Sequence, residues 1–440
     1  MIEPIEPSPR VKAIQRGALT MLLISGAIST IDRAALALAN PLIRHDLGLS
    51  ISEMGFLLSA FLWAYALSQL PVGVLIDRFG PRWLLTCGLV IWSSAQGMCG
   101  FVNGTLQFAI ARVILGVGEA PQFPTAARVV RDWFAARHRG GATGVFMCAS
   151  YLGTGLAAPL LTALMLNFGW RDMFIIMGVL GLLVALLWGV FYKDPAQVPL
   201  SDREHAYRQS GEVTTRSQRA VAPISGKQWR GLFKSPTTVG LIVGFFGMTY
   251  VNWLFNSWLP GYLQMERHMS IARVGWAAAI PYTFAVAGAL SAGYLVDLLA
   301  KRGMSLTNSR KVPACAFLLL ETALVVVAAL VPSNTVAIAA VSGAMFCGTA
   351  ASTIAWSAIS VLSPAICTGS LGALQNFGGY VGGALAPIVT GLIVQQTGSF
   401  VPALFVGAGL CLLAACSYLF LVRGPITVVE KDAIATLQTT

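Results

Sequence analysis

The sequence contains few charged residues. Asp, Glu, Lys and Arg together make up 11% of its 440 residues, whereas an average soluble chain carries about 25%. Hydrophobic residues make up 56%. This composition excludes a water-soluble enzyme, a disordered scaffold and a nucleic-acid-binding protein, in spite of a net charge of +11. Most of the chain is therefore expected to face lipid or other apolar segments.

Histidine is also scarce, with four residues that all fall in predicted loops. The eight cysteines lie in or beside apolar stretches. They have neither the spacing of metal ligands nor the loop positions of a secreted disulfide framework. We therefore expect no metal site and no cofactor, and we interpret the cysteines as small core residues.

Twelve apolar segments are long enough to cross a membrane, which takes about 20 mostly apolar residues. They are residues 16–38, 54–76, 83–103, 106–130, 141–166, 172–192, 237–262, 273–299, 312–332, 335–360, 368–395 and 400–422. The pattern predicts an all-α integral membrane protein with twelve transmembrane helices in two pseudo-symmetric six-helix bundles. In the eleventh segment, Gly378, Gly379, Gly382 and Gly383 predict close packing against another helix.

One long polar stretch divides the twelve segments into six and six. We expect an N-terminal bundle at 1–192, a cytoplasmic linker at 193–236, and a C-terminal bundle with a short cytoplasmic tail at 237–440. Of the 29 Lys and Arg residues, 23 fall on the side of the N-terminus and two inside segments. Four fall on the opposite side, namely Arg44, Arg171, Arg267 and Arg273. Since bases concentrate in cytoplasmic loops, both termini are expected in the cytoplasm, with the bacterial inner membrane as the location.

Two landmarks recur at half the length of the chain. Gly73 and Asp77 lie at the end of the second segment, and Gly293 and Asp297 lie at the end of the eighth, 220 residues later. Pro159 in the fifth segment and Pro387 in the eleventh are 228 residues apart. Such a period indicates two related halves in parallel orientation, an internal symmetry found in secondary transporters.

The stretch Gly73-Val-Leu-Ile-Asp77-Arg78-Phe79-Gly80-Pro81-Arg82 resembles the signature loop of the major facilitator superfamily, and the resemblance covers the whole chain. It implies a cytoplasmic gate in which Asp77 pairs with Arg128 or Arg131 at the end of the fourth segment, or faces the N-terminus of the eleventh, where the helix dipole favours an anion. The expected gate residues are Gly73, Asp77, Arg78, Arg82, Arg128, Arg131 and Asp297.

Five ionisable residues lie well inside predicted segments: Asp32, Arg33, Arg112, Glu119 and Glu321. A charge at the centre of a bilayer costs about 2.5–3.5 kcal/mol on the mildest scale, so these side chains are expected to face a water-filled cavity or one another. Arg112 and Glu119 are seven residues apart, which places them on one helix face about 10 Å apart. Pro121 and Pro124 predict a bend just after Glu119. For Glu321, which has no motif around it, we expect a structural hydrogen bond to a neighbouring helix.

An Asp-Arg pair in the first segment, with Arg and then Glu-Ala-Pro-Gln-Phe-Pro in the fourth, resembles the anion:cation symporter branch of that superfamily. The resemblance implies that Asp32 and Glu119 carry protons and that Arg33 and Arg112 serve an anionic substrate or the proton relay. Tyr65, Trp356 and Asn376 match pocket positions, and Tyr151 is a further candidate for substrate binding.

The expected function is proton-coupled import of an organic anion by alternating access, with a sugar acid such as a hexonate or hexuronate favoured. Protonation of Asp32 or Glu119 would release an arginine for the substrate carboxylate. An aromatic or short hydroxy carboxylate remains an alternative, because Thr30, Ser150 and Ala355 offer few hydrogen bonds to a polyhydroxylated substrate. A uniporter or exchanger is the next alternative, and a membrane enzyme or sensor comes last. The expected partners are the anion, protons and the lipid bilayer, with no nucleic acid, and the protein is expected to be a monomer.

Overall fold

The computed structural model describes residues 6–135, 139–209, 234–363 and 368–426. Apart from one 3-10 turn, Pro195–Gln197, the regular secondary structure of these residues is α-helical. The helices are α1 Pro9–Leu47, α2 Ile51–Met98, α3 Thr105–Glu119, α4 Gln122–Trp133, α5 Arg139–Phe191, α6 Asp202–Gln209, α7 Pro236–Met265, α8 Ile271–Lys301, α9 Asn308–Leu330, α10 Asn334–Leu362, α11 Thr368–Thr397 and α12 Val401–Phe420. The predicted all-α membrane fold is confirmed. Two of the histidines predicted in loops lie in helices instead, His45 in α1 and His205 in α6.

Two of the helices are too long for a single crossing. The 53 residues of α5 would extend about 80 Å at 1.5 Å per residue, far more than the apolar thickness of a bilayer. Gly169, at φ +85°, breaks α5 into two segments, and Gly80, at φ +74°, does the same in α2. The left-handed conformation at both positions is one that glycine adopts without steric cost.

The membrane segments therefore do not coincide one to one with helices. One lies in α1, two in α2, one is shared by α3 and α4, two lie in α5, and one lies in each of α7 to α12, which makes twelve. Among the described residues, nine helical stretches meet a criterion of length and hydropathy for crossing a membrane. The smaller number arises because α5 counts once, α3 has only 15 residues, and the second half of α2 carries the polar residues Arg82 and Gln96.

The chain forms two compact units, Met1–Thr215 and Arg216–Thr440, here called unit 1 and unit 2. In unit 1, α1 packs against α5, and α2 packs against both α3 and α5. In unit 2, α7 packs against α11, α8 against α10, and α9 against α12. These pairs join the first and fifth, second and fourth, and third and sixth segments of each unit. The internal repeat in the sequence is thus matched by a repeated packing pattern.

Glycines allow α11 to lie close against α7, as predicted. A Cβ atom on Gly378 would lie 2.8 Å from the backbone oxygen of Ile242, and one on Gly382 would meet the backbone oxygen of Phe246. Gly379 and Gly383 face the rings of Phe245 and Trp253 in the same way. The backbones of the two helices therefore approach as in other small-residue interfaces of membrane proteins.

Arginines close the C-terminal ends of two corresponding segments. In unit 1, Nη1 of Arg171 donates to the carbonyl oxygens of Gly100 and Val102, at 3.1 and 2.9 Å. In unit 2, Arg267 donates to the carbonyl oxygens of Ala328 and Val331, each at 2.6 Å. The last carbonyls of a helix have no partner within it, and a cation at that end interacts favourably with the helix dipole. Ala328 lies in the last turn of α9, whereas Gly100 and Val102 lie in the turn that follows α2. These arginines therefore stabilise the ends of the third and ninth segments.

We predict that Gly378→Ala lowers the stability of the protein by about 1–3 kcal/mol, because the backbones of α11 and α7 leave no room for the added methyl group. The measurement is thermal unfolding of the purified protein in detergent. Gly409→Ala in α12 is the matched control, since a Cβ atom there meets nothing within 4 Å, and helix propensity favours Ala by up to about 1 kcal/mol. Equal unfolding temperatures for the two variants would contradict the packing described for α11.

Candidate functional site

Two helices of unit 1 place four charged side chains together in its interior. Asp32 and Arg33 lie side by side in α1, far from either end of that helix, and Arg112 and Glu119 lie on one face of α3. Asp32 and Glu119 are fully buried, and Arg112 is only 2% exposed. The Arg33 side chain is 21% exposed. The structure therefore brings together the four residues for which the sequence predicted transport roles, and Arg33 is the more accessible of the two arginines.

Arg33 and Glu119 form a buried ion pair. Nε of Arg33 lies 2.6 Å from Oε1 of Glu119, and the hydroxyl group of Ser29 donates to the same oxygen. The guanidinium of Arg33 also lies 4.9 Å from the ring centroid of Tyr65 and 5.3 Å from that of Phe61. These contacts stabilise the cation by ion pairing and by cation–π attraction.

Asp32 and Arg112 are neighbours without a hydrogen bond between them. Asp32 interacts electrostatically with both Arg112 and Glu119, and the guanidinium of Arg112 stacks at 5.2 Å from the centroid of Phe61. Within the described part of the chain, neither carboxylate oxygen of Asp32 has a hydrogen-bond partner, and neither do Nε and Nη1 of Arg112. Burial of unpaired charge is costly, so this pair is the least satisfied part of the cluster.

The helix is interrupted directly after Glu119, at the prolines from which the sequence predicted a bend. α3 ends at Glu119 and α4 begins at Gln122. Because Pro124 has no N–H group, the carbonyl group of Ala120 has no donor in the helical register. The Nε2 atom of Gln69, on α2, donates to that carbonyl oxygen at 3.1 Å. Gln122 in turn donates to Oγ of Ser25 on α1, at 2.9 Å. Side chains of α1 and α2 therefore both bind the chain at the interruption.

The remaining predicted substrate residues are divided between the units. Tyr65 is buried in unit 1 beneath Arg33, and the side chain of Tyr151 lies outside the described residues. In unit 2, Trp356 on α10 is 47% exposed and packs edge-to-face against Phe245, with 5.7 Å between the ring centroids. Asn376 on α11 is partly exposed. It lies one turn after Gly372, beside which the Trp356 ring packs, so the two residues occupy adjoining positions on α10 and α11.

Three site residues were not predicted from the sequence. Ser29 binds Glu119, Phe61 lies beside both guanidinium groups, and Gln69 satisfies the interrupted backbone. Ser29 precedes Arg33 by one helical turn, and Phe61 precedes Tyr65 by the same spacing. The i, i+4 rule, applied around each predicted residue, would have identified these two. Gln69 carries no such signal, because its partner is a backbone group on another helix.

Of the predicted gate residues, the side chains of Gly73, Asp77 and Asp297 lie outside the described residues, so the proposed pairing of Asp77 stays a prediction. Arg128 binds Asp132, one turn further along α4, at 2.9 Å. Arg131 is exposed, and the guanidinium of Arg78 lies over the ring of Phe79.

Arg82, another of the predicted gate residues, binds the end of α5 and the segment that follows it. Its Nε and Nη2 atoms donate to the carbonyl oxygen of Gly189, near the end of α5, at 2.9 and 2.6 Å. Its Nη1 atom donates to Gln197 at 3.2 Å. Asp194 lies against Gly80 and accepts a hydrogen bond from the backbone N–H of Arg82. Burial raises the pKa of Asp194, an effect that this hydrogen bond opposes. The two charges thus join the start of the third segment to the end of the sixth.

The beginning of the predicted linker is folded onto unit 1. Glu204 accepts a hydrogen bond from Ser8 at 2.5 Å, and Gln15 of α1 donates to the hydroxyl group of Tyr207 at 3.1 Å. The buried side chains of Val11, Ala135 and Tyr207 form a small hydrophobic cluster. Helix α6 is therefore part of the packing of unit 1, which the polar composition of this stretch did not predict.

Comparison with known proteins gives a consistent result. The sequence profile of the Major Facilitator Superfamily matches residues 22–387. The chain is 40% identical to a probable L-galactonate transporter of Escherichia coli strain K12, over 97% of this chain and 94% of the relative. It is 35% identical to a probable galactarate/D-glucarate transporter of Bacillus subtilis, over 96% and 94%. It is 32% identical to a D-galactonate transporter of another Escherichia coli strain, over 92% and 94%.

The fold is also that of solved transporters. The crystal structure of a bacterial homolog of the human lysosomal transporter Spinster aligns with a TM-score of 0.72 and 19% sequence identity. The alignment covers 96% of this chain and 97% of that one. At this level of identity the match concerns the fold alone.

We predict that Arg82→Lys destabilises the protein by about 1–2 kcal/mol, since lysine cannot reproduce the forked contact with Gly189 and Gln197. Arg10→Lys is the matched control, because Arg10 makes one exposed hydrogen bond to the same segment, at Pro199, and should change stability by less than about 0.5 kcal/mol. Thermal unfolding in detergent compares the two variants. If both lost the same stability, the assigned role of Arg82 would be wrong.

Proposed function

Because the chain belongs to the Major Facilitator Superfamily, a family of multi-pass membrane transporters and not of enzymes, we propose that it imports a sugar acid together with protons. The names of its relatives support this substrate class. They are described as transporters of galactonate, of galactarate and glucarate, and of hexuronate. These compounds are polyhydroxylated carboxylates, so they share the charged group that a buried arginine recognises.

The observation that carries the proposal is the ion pair between Arg33 and Glu119. A buried arginine paired with a carboxylate can exchange that partner for the carboxylate of a substrate. Protonation of Glu119 cancels its charge, and Arg33 then needs another anion. The substrate carboxylate supplies it, with a geometry that the guanidinium can bind through two parallel hydrogen bonds. In this scheme the binding of a proton to Glu119 is coupled to the binding of the substrate anion to Arg33.

The second carboxylate extends this coupling. Asp32 is buried beside Arg112 and Glu119 without a hydrogen-bond partner among the described residues. A proton on Asp32 removes the cost of a buried, unpaired anion. Its negative charge, once restored, acts on both Arg112 and Glu119. We propose that Asp32 receives a proton in the same cycle and that Arg112 balances the charge of the cluster when the proton leaves.

The interruption after Glu119 provides a place for movement. Helix segments joined at a proline-containing break change their relative direction more readily than a continuous helix. Glu119 is the last residue before this break, so a change in its bonding to α1 bears directly on the junction of α3 and α4. We propose alternating access as the transport mechanism, with both termini in the cytoplasm of a bacterial cell.

An aromatic or short hydroxy carboxylate is the second candidate. The ring of Tyr65 beside Arg33 and the half-exposed Trp356 favour it, since both rings are also suitable contacts for an apolar substrate. The sugar acid has stronger support, because three relatives with at least 32% identity are described as transporters of sugar acids.

The substrate class is tested with purified protein in liposomes loaded with L-galactonate, D-galactonate or D-glucarate, by counterflow of a labelled sugar acid. Benzoate and lactate serve as the aromatic and short hydroxy probes. We expect counterflow with at least one sugar acid and none with the two probes. Counterflow with benzoate or lactate alone would replace the sugar acid by the second candidate.

Proton coupling is tested by replacing Glu119. In Glu119→Gln we expect a pH gradient to drive no accumulation, while counterflow remains, because an amide can bind Arg33 only as a neutral partner and cannot release a proton. Glu321→Gln is the matched control. Glu321 is equally buried, but it lies in unit 2, where Sγ of Cys411 donates to it at 3.3 Å. Gradient-driven accumulation that survives in Glu119→Gln would refute the assignment of Glu119.

A further inference from the structure

We propose that Gln96, on the second half of α2, is a positioning residue of the proton site, and that its amide serves Asp32 in both protonation states. This inference rests on the proton-coupled transport proposed above and extends it to a helix that the sequence did not implicate.

The register of α2 places Gln96 between two residues that reach the charged cluster. Trp92 lies close enough to Asp32 for its indole group to interact with the carboxylate. Cys99 interacts electrostatically with both Arg112 and Asp32. At 100° per residue, Trp92, Gln96 and Cys99 fall within about 60° of one another on the helix surface. Gln96 therefore lies on the face that looks toward Asp32 and Arg112, one turn from each flanking residue.

The neighbouring face of α2 packs against α5, so its surroundings differ from those of the face that carries Gln96. Gly97 approaches the backbone of Gly178 on α5, and Ser93 lies against Gly178 and Gly181 of the same helix. That face is tightly packed between helices. Gln96 instead shares a face with Trp92 and Cys99, the two residues of this segment that interact with the charged cluster. The contact between α2 and α5 therefore does not explain the position of this amide.

The polar atoms on this face have unmet hydrogen-bonding capacity. Gln96 is fully buried, and among the described residues neither its Oε1 nor its Nε2 has a partner. The same holds for both oxygens of Asp32, for Nε and Nη1 of Arg112, and for the indole nitrogen of Trp92. Buried polar groups in proteins are almost always hydrogen-bonded. Four such side chains in one place therefore indicate groups that bond to one another, or through an internal water, at some stage of the cycle.

An amide matches the requirements of a titrating carboxyl group. An ionised carboxylate only accepts hydrogen bonds, whereas a protonated one also donates. The NH₂ group of Gln96 serves the ionised form and its carbonyl oxygen serves the protonated form. The charged and titratable groups facing Asp32 are Arg112 and Glu119 from α3 and Cys99 from α2. On α5, which also packs on α1, the side chains of residues 147–152 lie outside the described ones.

The test compares gradient-driven accumulation with counterflow in Gln96→Met, which preserves the size of the side chain and removes the amide. We expect the ratio of accumulation to counterflow to fall about tenfold, the effect of one lost hydrogen bond to a buried charged group. We also expect the pH midpoint of uptake to shift. Because counterflow needs no net proton transfer, the ratio corrects for the amount of folded protein. An unchanged ratio and pH midpoint would overturn the proposal.

Thr238→Val is the matched control. Thr238, on α7 of unit 2, is fully buried, and its hydroxyl group has no hydrogen-bond partner among the described residues. Its removal should leave the ratio unchanged, and an equal fall would show that loss of any buried polar group has this effect and would overturn the proposal. If Gln96→Met does not fold, Gln96→Asn replaces it. The shorter amide should shift the pH midpoint, and an unshifted midpoint would count against the role of Gln96.

The outcome for the wild-type protein separates the two proposals. If no sugar acid accumulates in response to a pH gradient, and a protonophore therefore has no effect, the proposed function fails. If the wild-type protein accumulates a sugar acid and a protonophore abolishes this, but Gln96→Met behaves like the wild type, only the role of Gln96 fails.

Discussion

Charge buried in an apolar protein interior is the constraint on which the rest of this structure depends. Two arginines and two carboxylates lie together in unit 1, where the surroundings cannot solvate them as water does. Each must be satisfied by a neighbour or neutralised by a proton. Glu119 meets this requirement through Arg33 and Ser29, whereas Asp32 and Arg112 meet it only in part. A proton-driven carrier needs such incompletely paired charges, because a cluster in which every charge is fully paired would not exchange its partners.

The fold could be predicted from the sequence because the membrane imposes a simple rule on it. A crossing helix needs a long apolar segment, and a parallel repeat shows itself as landmarks separated by half the chain. The exact bounds could not be predicted from hydropathy alone. α1 continues to Leu47, well beyond its apolar centre, and α6 formed in a stretch read as a polar linker. It makes contacts with Ser8 and Gln15, which no local pattern reveals.

The candidate site likewise contains residues that could be predicted from the sequence and residues that could not. Asp32, Arg33, Arg112 and Glu119 could be identified because a charge inside an apolar segment is conspicuous. Gln69 and Gln96 could not be identified in this way, because an uncharged amide gives no comparable signal in the sequence. Their significance comes from what other helices place beside them. The interruption after Glu119 could be predicted from its prolines, but the glutamine that binds the free carbonyl group of Ala120 lies 51 residues earlier in the chain.

The arginines at the helix ends have a consequence for how this protein enters a membrane. Of the four bases predicted on the outer side, Arg44, Arg171 and Arg267 donate to backbone carbonyl groups, and Arg273 alone is exposed at the start of α8. Insertion machinery reads positive charge while the chain is still unfolded, when these contacts do not yet exist. In the predicted orientation, the outer bases would oppose insertion during synthesis, although three of them bind backbone carbonyl groups in the folded protein. The 23 bases on the other side must outweigh a counter-signal that the finished structure needs.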